Sequence, residues 1–66
     1  MAETFGQRLR RIRKAQNLTQ KELAKKSGID NQSICGYEKG RTSPNIVYLE
    51  WLCKALDVTA TELLGF

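Results

Sequence analysis

Histidine is absent from the 66 residues, and cysteine occurs only twice, as Cys35 and Cys53. Two thiols without an imidazole cannot complete a four-ligand zinc site, so no metal and no cofactor is expected. The carboxylates are not clustered, which leaves neither an acid–base pair nor an activated nucleophile and argues against an enzyme. The longest apolar run, Ile46-Val47-Tyr48-Leu49, is too short for a signal peptide or a membrane span. Repeats, low-complexity tracts and linkers are also missing. These absences suit a soluble, cytoplasmic protein with reduced thiols. One proline and five glycines leave most of the chain free to be helical. The length fits one domain over residues 1–66, burying only ~60% of the surface its unfolded chain would expose. So small a core calls for a compact helical bundle or for help from a partner subunit.

Charge is unevenly spread. The net charge is +4, yet residues 1–44 hold ten of the eleven basic residues against four acidic ones, a net +6. Residues 45–66 hold one basic and three acidic residues, a net −2. The first region suits a polyanion, and the second is better suited to packing or self-association.

Capping signals divide the chain into five helices. Thr4 and Gln7 form a capping-box pattern before a helix over Phe5 to Ala15, with Phe5, Leu9 and Ile12 on one face. Thr19 and Glu22 repeat the pattern before a second helix, Gln20 to about Lys26, with Leu23 and Ala24 inward. Gly28 stands where the chain must leave that helix, and Asp30 can cap a third over Asn31 to Lys39, ended by Gly40. Asn45 can cap a fourth helix that directs Ile46, Leu49, Leu52, Cys53 and Leu56 inward. Thr59 and Glu62 mark a short fifth helix ending at Gly65.

Two short helices joined by a tight glycine-containing turn make a helix-turn-helix over about residues 19–39, a unit whose second helix enters the DNA major groove. From Phe5 to Leu64 the chain resembles the Cro and phage-repressor type of helix-turn-helix domain, the XRE-like transcriptional regulators. The matching residues are Arg10, Arg13, Leu18-Thr19-Gln20, Glu22-Leu23-Ala24, Gly28, Ile34, Tyr37-Glu38-Lys39-Gly40, Pro44 and Leu52-Cys53-Lys54-Ala55-Leu56. The resemblance implies an all-α, five-helix, lambda-repressor-like DNA-binding domain.

Asn31 and Gln32 are amides at the start of the third helix, and an amide can pair bidentately with adenine N6 and N7. In the resembling family the corresponding positions contact bases, which makes these two the first candidates for sequence readout. Gly36 is the main departure, because many relatives carry a long polar or basic residue there. Either it lets the helix approach the bases closely or one usual reader is missing. The second is favoured and implies a weaker or shorter sequence preference. Cys35 beside it is expected to be partly exposed near the DNA face, and Cys53 to be an inert core residue.

For phosphate contacts the candidates are Gln20, at the positive end of a helix dipole, Lys39, Arg41, Arg10 and Ser33, the last read as either a phosphate or a local backbone partner. Lys14, Lys21, Lys25 and Lys26 read mainly as solvated charge. The family implies a partly buried ion pair between Arg13 and Glu38 that clamps the first helix to the third.

Val47, Tyr48 and Trp51 fall off the inward stripe of the fourth helix, a cluster that suggests a contact surface. Domains of the resembling type often dimerise in this region, and Leu64 and Phe66 can join it. The reading is therefore a dimeric repressor on a near-palindromic double-stranded operator, half-sites ~34 Å apart. One alternative is the antidote half of a toxin–antitoxin pair, with a toxin as protein partner. The other is a protein-interaction module that has lost DNA binding. No membrane role is expected.

Overall fold

Polar caps set where the helices begin. In the computed structural model, which describes residues 3–66, α1 spans Phe5–Ala15, α2 Gln20–Ser27, α3 Asn31–Lys39, α4 Ile46–Leu56 and α5 Ala60–Leu64. Met1 and Ala2, part of the expected 1–66 domain, lie outside the described residues. The hydroxyls of Thr4, Thr19 and Thr59 accept hydrogen bonds from the backbone N–H of Gln7, Glu22 and Glu62 at 3.1, 3.0 and 3.1 Å. Each threonine N–H donates back to the side chain of the same partner, at 2.9, 2.9 and 3.2 Å. Three reciprocal boxes therefore satisfy amides that would otherwise lack partners. Asp30 and Asn45 do the same work singly, accepting from Ser33 and Tyr48 at 3.0 and 2.8 Å.

Gly28 and Gly40 end α2 and α3 with φ of 81° and 78°. That left-handed conformation costs an L-residue about 1–2 kcal/mol and costs glycine almost nothing. The two glycines bracket α3, so the recognition element of the helix-turn-helix has a fixed entry and exit.

Nine residues form the core: Leu9, Leu23, Ile29, Ile34, Tyr37, Leu52, Ala55, Leu56 and Leu63. They come from all five helices and from the α2–α3 turn, so no helix buries its apolar face alone. α1 packs on α3 and α5, α2 packs on α3 and α4, and α4 packs on α5. The α1–α3 crossing depends on Gly6. A Cβ there would collide with the Tyr37 carbonyl oxygen and come within 2.7 Å of that of Glu38. Only a residue without a side chain lets α1 pass so near the end of α3.

The fourth helix corrects the expected stripe. Ile46, expected inward, is 75% exposed, while Ala55 is buried and Tyr48, expected outward, is half-buried against the core. At about 100° per residue, the buried arc centres on Leu52, with Tyr48, Leu49, Ala55 and Leu56 within about 60° of it. Ile46 lies about 120° away on that scale. Cys53, at the margin, is half-buried and its thiol is pushed up by burial and by the charge of Glu50. No helix among the described residues is long and apolar enough to cross a membrane.

Candidate nucleic-acid interface

The first turn of α3 presents Asn31 and Gln32 side by side, both exposed. Asp30 holds that turn in place. Its carboxylate accepts the Ser33 hydroxyl at 2.7 Å and the Ser33 N–H at 3.0 Å, which holds its pKa below the ordinary carboxylate value. This alters the expectation for Ser33. A hydroxyl has one proton, and that proton already goes to Asp30, so Ser33 supports the cap and is poorly placed to donate to phosphate.

Behind α3 lies a buried clamp. Arg13 on α1 grips Glu38 on α3 with two parallel bonds, Nε to Oε2 at 2.6 Å and Nη2 to Oε1 at 2.9 Å. The side chains are only 8% and 3% exposed. The remaining Arg13 nitrogen, Nη1, donates to the Leu18 carbonyl at 2.7 Å. Gln20 at the start of α2 adds a bond from Nε2 to Glu38 Oε1 at 3.1 Å. One carboxylate thus ties α1, α2 and α3 together. Burial alone would raise the Glu38 pKa. The hydrogen bonds from Arg13 and Gln20 and the charges of Arg13 and Arg10 outweigh it, and the net shift is downward. The bond to Glu38 likewise raises the Arg13 pKa.

The clamp also assembles a surface. Arg10, Gln20, Cys35 and Lys39 line one open depression around Glu38, drawn from three helices. Cys35 is half-exposed there. Lys39 and Arg41 are exposed on either side of Gly40. The Arg41 N–H donates to the Gly36 carbonyl at 2.9 Å, turning the chain back over the end of α3. The structure therefore brings Gln20, Arg10 and Lys39 together next to the recognition helix. Lys14, Lys21, Lys25 and Lys26 are exposed.

Sequence reasoning overlooked other polar anchors. Arg8 donates from Nη1 to the Leu64 carbonyl at 3.0 Å and from Nη2 to the Glu3 carbonyl at 3.0 Å, so it caps the end of α5. Gln16 Nε2 donates to the Leu56 carbonyl at 2.6 Å, closing α1 on the end of α4. The Arg8–Leu64 and Gln16–Leu56 bonds join residues at least forty positions apart and have no local pattern to reveal them.

On α4, Val47 and Trp51 are exposed one turn apart, and the Trp51 ring lies 5.0 Å from that of Tyr48. Phe66 is 85% exposed, and Leu64 is half-buried. Ile46 adds to the exposed apolar area, lining a shallow depression with Leu49, Cys53 and Ala60.

Two short helices, α2 and α3, joined by a tight turn that leaves α2 at left-handed Gly28, make a helix-turn-helix. The family profile described as helix-turn-helix matches residues 9–63, and the chain belongs to that family. It is 35% identical over 63 residues to the uncharacterised HTH-type transcriptional regulator y4dJ of Sinorhizobium fredii, covering 96% of this chain and 82% of that protein. Of two further curated regulators it spans 54% and 43% of the length. Among solved structures it resembles the restriction-modification controller protein C.AhdI from Aeromonas hydrophila, with a TM-score of 0.87 and 42% identity over 89% of each chain. It also resembles the P22 c2 repressor solved in complex with a synthetic operator, with a TM-score of 0.89 and 35% identity over 96% of each chain.

Proposed function

We propose that this chain is a sequence-specific, double-stranded DNA-binding transcriptional regulator acting as a dimeric repressor in the cytoplasm. The observation that carries the reading is the pair of exposed amides on the first turn of α3, Asn31 and Gln32, presented by a helix clamped from behind by Arg13 and Glu38. In the major groove these amides read base edges. Arg10, the second N–H of the Gln20 amide, Lys39 and Arg41 hold phosphates on either side and fix the register without contributing sequence information. Ser33 is left out of the phosphate set because its proton is given to Asp30.

Dimerisation supplies the second recognition helix. The exposed face of α4, with Val47 and Trp51, belongs to the region of net −2 charge, while the cations concentrate before residue 45. Two copies joined there set their α3 helices about one DNA turn, ~34 Å, apart on a near-palindromic operator. The similarity to a repressor solved on its operator supports this reading. Nothing in the chain beyond the shared fold favours an antitoxin role.

Selection of bound duplexes from a randomised pool at ~150 mM salt tests the proposal. The expected result is a two-fold symmetric motif with half-sites one helical turn, or a near multiple, apart. Binding that enriches no sequence and collapses as salt rises would leave only the electrostatic attraction and overturn it.

A further inference from the structure

Gly36 is costly where it stands. It lies inside α3, where glycine weakens a helix relative to alanine. It is also four residues after Gln32, so a side chain there would emerge on the same face one turn later. That space is not open. A Cβ built on Gly36 would come 2.9 Å from Oγ1 of Thr42. The turn-back explains why: the Gly40 N–H donates to the Gly36 and Tyr37 carbonyls, and the Arg41 N–H donates to the Gly36 carbonyl. These bonds fold the chain so that residue 42 arrives beside residue 36. Gln32, Ser33, Gly36, Arg41 and Thr42 line a single open depression on this face.

We propose that the Thr42 hydroxyl, lodged in the space that Gly36 leaves beside α3, reads a base pair and replaces the reader absent from position 36. The inference rests on the operator-reading function above. Glycine at 36 then leaves room for the Thr42 hydroxyl in this position, since that hydroxyl is what a Cβ would meet, and the sequence preference is not shortened by its presence. A threonine hydroxyl both donates and accepts, so it can serve any base edge in the major groove, the one next to that read by Gln32.

The test repeats the selection with wild type, Thr42→Val, Thr42→Ser and Gly36→Ala. Thr42 is exposed and alanine favours helix over glycine, so each variant should fold; circular dichroism confirms it. Thr42→Val, nearly the same shape without the hydroxyl, should lose about three- to tenfold preference at one base pair per half-site, the effect of one neutral hydrogen bond. Thr42→Ser should keep that preference. Gly36→Ala, whose methyl group displaces the hydroxyl, should alter the same base pair. The proposal fails if Thr42→Val retains the wild-type motif at every position, or weakens all sequences equally as a phosphate contact would. It also fails if Thr42→Ser behaves like Thr42→Val. A wild type that enriches no motif brings down the operator-reading function itself, and this inference with it.

Discussion

Two residues apart on α1, Arg11 and Arg13 make the same bond with different consequences. Each guanidinium grips a glutamate through two nitrogens: Arg11 holds Glu3 at 2.8 and 3.1 Å, and Arg13 holds Glu38 at 2.6 and 2.9 Å. The geometry is nearly identical. The surroundings are not. Arg11 and Glu3 are 61% and 31% exposed, whereas Arg13 and Glu38 are almost closed off from water. An exposed pair competes with solvent and salt and contributes little. A buried pair gains no great net stability either, but losing one partner strands the other charge without water. Position on the helix surface, more than bond geometry, decides which arginine holds the recognition helix.

The sharpest way to break this contrast is Arg13→Ala. Stranding Glu38 should cost about 3 kcal/mol, a fall in melting temperature of roughly 12–24 °C for a domain this size. An unchanged melting temperature would mean that the clamp is not structural. A smaller effect should appear in acid. Because the folded Glu38 pKa lies below the ordinary 4.5, its stabilisation is complete above that value and disappears as pH falls through the lowered one. Urea midpoints taken from about pH 6 down to about pH 3 should therefore decline in the wild type and less steeply in Glu38→Gln. Some slope should remain, since Glu3, Glu22 and Asp30 are also shifted downward. The smallest effect belongs to Arg11→Ala, for which no resolvable change in urea midpoint is expected. A loss comparable with that of Arg13→Ala would erase the distinction between the two pairs.

Local chemistry was the legible part of this sequence. Threonine followed three residues later by Glu or Gln marked the start of α1, α2 and α5, Asp30 and Asn45 marked those of α3 and α4, and glycine marked three of the five ends, because caps are made between near neighbours. The phase of α4 was not legible in the same way. Its apolar residues run Ile46-Val47-Tyr48-Leu49 with Trp51-Leu52-Cys53 after them, so two neighbouring faces satisfy a helical period equally well. Packing against α2 and α5 selected the face centred on Leu52. The Arg13–Glu38 pair was reached through family resemblance, since charge pairing between residues 25 apart leaves no local signature. Gly6, Arg8 and Thr42 show the same limit. Their roles arise where distant segments meet, and composition and spacing do not encode that meeting.

The most direct test of the division between reading and gripping is the salt dependence of binding, measured on the selected operator and on a scrambled duplex. Wild type, Gln32→Ala and Arg41→Ala would be titrated over a range of salt concentrations. If α3 reads bases while the flanking cations hold phosphates, Gln32→Ala should lose about 1–3 kcal/mol of discrimination and keep the wild-type slope of log K against log salt. Arg41→Ala should keep the discrimination and reduce the slope by about 1. If Gln32→Ala instead weakened both duplexes equally, the first turn of α3 would not be reading sequence, and the account of this interface would be wrong.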